Sequence, residues 1–532
     1  MKKNIILPLL ALLIVPTLHA NETTSRVNKS LTIFNDVMRQ VDINYADTLN
    51  YEEMTETAIN QMLRQVDPYT VYIPEDKTSN LKMMTTGKYD GIGAMIMQKG
   101  DTVCISEPYE GMPAQKNGLW AGDRILEVDG KKVVGKTTAE VSSMLRGTPR
   151  STVTLKLRRE GVAKPFVRSF EREEVKICPI SYAAVLEGHI GFIAFSEFTE
   201  NSGALFGQTL DQLNEQNKID ALIIDLRGNG GGLISEAVRI MSLFVDKGTE
   251  VVTTKGKTKA SQRIYKTPVA PKYPDLPLYV LVDGSTASAA EIVSGALQDL
   301  DRATLIGERT FGKGLVQSVY PIAYNGNIKV TTAKYYIPSG RCIQAIDYRG
   351  KEAESKKDSL KHIFHTKKGR VVKDGGGIIP DITLEEDTSK VNISYSLYSK
   401  NLYYEYAVHY HCTHDSIADP TVFEVSDEIL DDFKVFLQQR GFQYNSETEK
   451  YFDDLIDMAK HEDIAEDVVN QLLEIKGKIS GDWQDAFDRN KEDIRHALGR
   501  EITRHYCYIR GEYAYFLQYD KACKKAKEII NN

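Results

Sequence analysis

The chain has 532 residues, 42% of them hydrophobic and 27% charged, which fits three or four folded domains at about 150 residues each and excludes collagen-like repeats, long disorder and a multi-span membrane protein. Its net charge is −7, and still more negative without Lys2 and Lys3, so the basic field of a nucleic-acid binder is missing and peptides or proteins are better partners. Six cysteines without a CxxC pair signal neither a disulfide scaffold nor zinc-ribbon or thioredoxin chemistry.

Residues 1–20 read as a signal peptide: Lys2 and Lys3, an apolar run from Ile5 to Leu18, then His19-Ala20 as a cleavage site. The run is shorter than the ~20 residues of a membrane span and is interrupted by Pro8 and Pro16; an uncleaved anchor is the alternative. The mature chain is expected to begin near Asn21, to be exported to the periplasm or cell envelope or secreted, and to have no stable membrane insertion. Export permits disulfides, but the cysteine spacing selects no pairing.

Residues 21–85 form an N-terminal helical region, with apolar positions at helical spacing in Leu31, Phe34, Met38 and Val41 and again in Ala58, Ile59, Met62 and Leu63. Asp67-Pro68 ends this helical pair. From 86 to 174 the pattern changes to short strands and glycine turns, among them Val103–Ser106, Arg124–Val128 before an Asp129-Gly130 turn, a helix over Thr138–Leu145 and an alternating strand over Ser151–Arg158. Gly91-Ile92-Gly93-Ala94, the Pro113-Ala114 helix start, Gly122-Asp123-Arg124-Ile125-Leu126 and Val153–Leu157 together resemble a PDZ domain. The resemblance implies that a peptide adds as a strand to an open sheet edge and that the loop Gly91, Ile92, Gly93 and Ala94 offers N–H groups to a C-terminal carboxylate.

Residues 175–385 alternate buried strands, Ala221–Leu226 and Leu278–Asp283, with helices over Ile234–Val245 and Ala289–Leu300, an α/β core. Two glycine-rich passages imitate nucleotide sites. Arg227–Gly232 is out of register for G-x-G-x-x-G, and Gly307–Gly314 opens like a phosphate-binding loop but has Gly314 where a magnesium-binding hydroxyl is required.

The passage Gly284–Glu291 joins a strand to a helix. A serine there can be held exposed, with the following N–H groups and the positive helix end facing a developing oxyanion. The same residues can equally be a helix cap with Glu291 in the first turn, and the residues alone leave both readings open. His189, His362 and His365, the only histidines in this stretch, lie in no triad context, so a lysine is the alternative base. Lys313 follows Ser288 by 25 positions. Free lysine titrates near pH ~10.4, so work near neutrality requires about 4 kcal/mol of bias against its charged form, for which burial against Phe311 is a candidate source. A solvated surface charge is the commoner role of a lone lysine.

Thr286–Ile292, Gly307–Gln317 and Asp225–Gly232, with Asp67-Pro68-Tyr69-Thr70, Tyr335–Arg341 and Gly377–Ile382, closely resemble the C-terminal processing, or tail-specific, serine peptidases over residues 25 to 385. The resemblance implies a multidomain α/β chain: a ClpP/crotonase-like peptidase core with an inserted β-rich PDZ domain and helical segments at both ends. It implies Ser288 as nucleophile, Lys313 as general base, Gln317 as the amide orienting the lysine, and an oxyanion hole from the N–H groups of Ala289 and a glycine of the 230–232 run, placed at Gly232. No metal or organic cofactor is required, and the implied substrates are exported proteins with exposed C-terminal tails. Ala290 departs from the serine that many relatives carry beside the nucleophile. A scaffold that binds chain ends without cleaving them is the competing function.

Residues 386–532 read as a helical domain, with Ser426 capping a stripe of Ile429, Leu430, Phe433, Phe436 and Leu437 and further stripes at Ile464–Ile475 and Trp483–Tyr508. His409, His411, Cys412 and His414 are dense enough to weigh as metal ligands, but no second cluster completes a four-ligand site and no metal is assigned. The lysines at 521, 524, 525 and 527 read as a solvated helix end. Oligomerisation, with a homo-oligomer as one form, or substrate gating is the expected role of this domain.

Overall fold

The computed structural model describes residues 18–348, 354–355, 362–384, 393–444, 446–479 and 482–532. The expected signal peptide lies almost wholly outside them. Among the described residues no helix is long and apolar enough to cross a membrane.

The chain divides into two units, Met1–Tyr72 and Ile73–Asn532. The first contains the expected helices, Leu18–Asn44 and Tyr51–Arg64, the second capped by Asn50, whose side chain accepts the Glu53 N–H. After them the Asp67 carboxylate gathers the N–H groups of Tyr69 and Thr70 into a turn. The stripe on the first helix is helical as expected, yet Leu31 and Phe34 are exposed. Helical spacing specifies an apolar face; it does not supply a partner for it.

In the second unit, the centre is a six-stranded sheet in the order Ile180–Leu186, Ile190–Phe195, Ala221–Asp225, Leu278–Val282, Ala303–Gly307 and Ile382–Thr383. The first pair is antiparallel and the rest are parallel. Both faces are covered, which is why the central strands read as continuous apolar runs. Helices Ser202–Gln216, Ile234–Met241 and Ala289–Asp299 bury one face through Phe206, Leu210, Ile240, Ile292 and Leu297. The other face is closed by the last helix of the chain, Lys521–Ile530, whose Ala522, Cys523 and Ala526 pack with Phe192, Ile223 and Leu281. Its lysines lie on the opposite side of an amphipathic helix, and the end of the chain is thereby a layer of the α/β core.

A separate sheet runs in the order Ala94–Lys99, Thr102–Pro108, Arg124–Val128, Thr152–Arg158 and Phe166–Glu171 around Val103, Ile105, Ile125, Val153 and Leu155. Ala94–Lys99 is its terminal strand, so one edge carries no strand partner among the described residues. Helix Thr138–Leu145, closed by a Thr137/Glu140 capping box, reaches this strand where the Thr138 hydroxyl donates to Gln98. The sheet is seated on the C-terminal helices: the Tyr404 hydroxyl donates to the Ile105 carbonyl at 2.8 Å and Arg504 pairs with Glu107.

The C-terminal helices share a core of Tyr406, Leu430, Phe433, Phe487, Ile494 and Leu498. Ser426 caps helix Asp427–Gln439 as expected. The stripe read as continuous from Trp483 to Tyr508 is instead two helices, Trp483–Arg489 and Lys491–Phe516, and the second is kinked where Cys507 and Tyr508 leave helical dihedrals.

Candidate active site

Ser288 stands at the start of helix Ala289–Asp299, at the end of the turn after strand Leu278–Val282. Its φ of 57° and ψ of −116° are far from the extended backbone of an ordinary cap residue and strained for a side chain with a Cβ. The turn before it is organised by Asp283, whose Oδ1 accepts the N–H groups of Ser285 and Thr286 at 3.0 and 2.9 Å, and by Thr286, whose hydroxyl lies 2.9 Å from the Leu226 carbonyl. Ser288 is half-buried, whereas Ala289 and Ala290 are fully buried in the core beneath it. A serine in place of Ala290 would set its hydroxyl in this apolar layer.

Glu291 organises the site. Its buried carboxylate accepts the Ser288 N–H at 2.9 Å, the Lys313 N–H at 2.9 Å, the Gly312 N–H at 2.8 Å and the Thr310 hydroxyl at 2.6 Å. Burial pushes this carboxyl above the ordinary carboxylate range, and the four donors act in the opposite sense. Sequence reading found Glu291 only as a first-turn acid, because its other donors come from a segment twenty positions away. Tyr335, also buried, adds a second tie: its hydroxyl lies 3.0 Å from the Ser288 carbonyl and 2.7 Å from that of Lys313, sharing one proton between them. The motif containing Tyr335 was visible in the sequence, but its role was not.

Lys313 is half-buried on the segment between strands Ala303–Gly307 and Leu315–Pro321. Phe311, the cover expected from sequence, is itself 50% exposed. The glycines that imitated a phosphate loop serve close backbone packing instead. Gly312 has φ +85°, and a Cβ there would sit 2.6 Å from the Ala345 Cβ; the Gly314 N–H donates to the Gln344 side chain at 2.7 Å. Gln317 lies beside a register shift between its strand and Asn327–Tyr336, where Val316 faces Ala333 but Gln317 faces Thr331. Such a bulge re-aims side chains, and the Gln317 amide nitrogen donates to the Thr331 hydroxyl at 3.2 Å.

The glycine run after Ala221–Asp225 lies against the serine turn. A Cβ on Gly231, with φ +98°, would come within 2.7 Å of Ser288 Cβ and 2.8 Å of Ala289 N, so only glycine permits the approach. The Gly231 N–H is already donated to the Asn229 side chain at 2.8 Å. Gly232 forms an isolated parallel bridge with Phe198 in which the Gly231 carbonyl and the Leu233 N–H make the bonds, so the Gly232 N–H points away from Phe198.

At the expected carboxylate loop, Ile92 and Gly93 use their carbonyls to accept the N–H groups of Ala114 and Tyr109. Burial and Tyr109 raise the Tyr89 phenol above its ordinary range, while the nearby backbone of Ala94 and Gly93 acts in the opposite sense. The histidine cluster is dispersed around a helix, Leu402–Thr413, and its C-terminal cap: His409 meets Glu160, His411 packs on Trp120 and His414 stacks on Tyr410. Among the described residues no three His, Cys, Asp or Glu side chains converge as metal ligands.

Three family models match the chain: Peptidase family S41 at residues 189–350, PDZ domain at 104–159, and Probable PDZ-protease, C-terminal helical domain at 393–530. The carboxy-terminal-processing protease of Bartonella bacilliformis is 34% identical over 321 residues, covering 60% of this chain and 73% of the relative. The carboxyl-terminal-processing protease of Synechocystis is 36% identical over 298 residues, covering 54% and 68%. Among solved structures, a photosystem II D1 C-terminal processing protease is 29% identical, covering 66% of this chain and 86% of that one with a TM-score of 0.36. The protein is a serine-type peptidase with a PDZ domain and helical segments at both ends. It belongs to the carboxy-terminal-processing proteases of peptidase family S41.

Proposed function

We propose that this chain cleaves exported proteins near their C-termini with a Ser288–Lys313 dyad. The observation that carries this reading is the strained, half-buried Ser288 at a helix start, tied through Glu291 and Tyr335 to the backbone of Lys313. In this reading residues 1–20 direct export to the cell envelope and are removed, residues 86–174 bind the tail, and residues 175–385 cut it.

A substrate tail adds to the open edge of Ala94–Lys99, with its carboxylate at the N–H groups of the Gly91–Ala94 loop. Neutral Lys313 takes the Ser288 proton as the hydroxyl attacks the scissile carbonyl. The Gln317 amide orients the lysine, its oxygen remaining as an acceptor while its nitrogen holds Thr331. The N–H groups of Ala289 and Gly232 receive the oxyanion, each worth about 3 to 4 kcal/mol in comparable sites. The engaged Gly231 N–H and the outward Gly232 N–H favour Gly232 within the run. Lys313 then protonates the leaving amine, and water resolves the acyl-enzyme.

The test is cleavage of a folded reporter bearing an unstructured apolar C-terminal tail, with product masses measured. Wild type should release tail fragments and Ser288→Ala should release none. Binding without cleavage by both would leave only a tail-binding scaffold.

A further inference from the structure

We infer that Asp520, at the far end of the chain, is a positioning residue for the oxyanion loop and acts through Arg227; this rests on the reading of Gly232 as an oxyanion donor. Arg227 is the first residue of the loop that ends at Gly232. Its guanidinium is held on one side by Asp225, through Nε at 2.9 Å and Nη2 at 2.7 Å, and on the other by Asp520, through Nη1 at 2.7 Å. Asp225 and Asp520 are only 3% and 4% exposed. Burial acts against the guanidinium charge and the two carboxylates outweigh it, so the arginine stays charged. A cation that is 21% exposed and held between two buried carboxylates is strongly disturbed when one partner is removed.

Asp520 has a second task. Its Oδ1 accepts the Cys523 N–H and caps helix Lys521–Ile530, which is seated on the core sheet by Ala522, Cys523 and Ala526. The carboxylate is therefore fixed by the packing of a whole helix rather than by its own rotamer. On the other side, the constraint on Arg227 continues into the loop: the Gly228 N–H meets the Asp283 carboxylate at 3.1 Å, the Asn229 carbonyl accepts the Ala287 N–H at 2.9 Å, and the Asn229 side chain holds Gly231. A continuous series of short polar contacts thus joins the C-terminal helix to the turn that carries Ser288.

The expected result of Asp520→Ala is a kcat about 10- to 100-fold lower on a tailed substrate, with KM unchanged. The rate at which a fluorophosphonate labels Ser288 should fall by the same factor. Asp520→Asn retains the helix cap and a neutral acceptor, and should recover part of the loss. Rates are expressed per folded molecule, from circular dichroism at the assay temperature, so partial unfolding does not imitate the effect. Unchanged kcat in both variants, or a loss that appears equally in kcat and in KM, overturns the inference. Ser288→Ala run in parallel separates the two claims: if it cleaves like wild type the serine assignment falls and this inference with it, whereas an inactive Ser288→Ala beside a fully active Asp520→Ala sinks this inference alone.

Discussion

Ser288 and Lys313 hang from one carboxylate oxygen: Glu291 Oε2 accepts the backbone N–H of each at 2.9 Å. Two segments that follow the C-terminal ends of the adjacent parallel strands Leu278–Val282 and Ala303–Gly307 are thereby fixed to one point of the buried helix. The relationship concerns backbone rather than the side chains of the proposed dyad, and so sets where both can reach before any substrate arrives.

Removing that point should be costly. Glu291→Gln keeps one carbonyl oxygen but turns an NH₂ group toward N–H donors, leaving buried groups without acceptors at about 1 to 3 kcal/mol each. We expect a stability loss of about 2 to 4 kcal/mol and at least a hundredfold fall in kcat, checked by urea unfolding and by turnover per folded molecule. Tyr335→Phe deletes one shared proton and should cost about 1 kcal/mol of stability. Wild-type turnover in Glu291→Gln would show that the clamp is dispensable.

The Tyr89 ring lies against Gly91 of the loop that the tail-binding reading assigns to a substrate carboxylate, where a Cβ on Gly91 would sit 3.0 Å from its Cε2, and in that reading its hydroxyl competes for the N–H groups there. Tyr89→Phe should therefore tighten binding of a free-carboxylate peptide by about 3- to 10-fold and leave the amidated peptide unaffected. Fluorescence anisotropy with both peptides reads this directly. Weaker binding by the variant would make the phenol a contributor to recognition rather than a competitor.

The kinked helix carries opposed titrations. Burial pushes Glu501 up to about 7 from its ordinary 4.5, and pushes His505 down to about 4 from 6.5. His505 Nδ1 donates to the Glu501 carbonyl at 2.8 Å. Stability from Glu501 is complete below pH 4.5 and is lost as pH rises through about 7, whereas that from His505 is complete above 6.5 and is lost as pH falls through about 4. Each is worth up to about 3 kcal/mol, and they offset one another in between. The Tm of Glu501→Gln relative to wild type should rise from pH 4.5 to 7 and then level. That of His505→Gln should rise as pH falls from 6.5 to 4. Differences that do not change with pH would contradict both shifts.

Much of this was legible in local sequence. The strand–turn–helix around Ser288, the paired-face burial of Ala221–Asp225 and Leu278–Val282, and the Ser426 cap are each specified within about ten neighbouring residues. What was hidden depends on which distant surfaces meet. Glu291 looked like any first-turn acid until Thr310, Gly312 and Lys313 were brought to it, and nothing in the spacing of Phe311 revealed that its ring would face solvent. The last helix was legible only through its lysines, and the partners of its buried Ala522, Cys523 and Ala526 are sheet residues more than two hundred positions earlier. The break at Cys507–Tyr508 carries no glycine or proline to mark it.

The most direct test of the account is where, and with what pH dependence, a fluorophosphonate attaches to the wild-type chain and to Lys313→Met, read by mass spectrometry of the digested protein. The account predicts a single adduct on Ser288 that forms faster as pH rises, with the rate reduced at least about 100-fold in Lys313→Met. An adduct on another residue, or a Lys313→Met rate equal to wild type across the pH range, would contradict it.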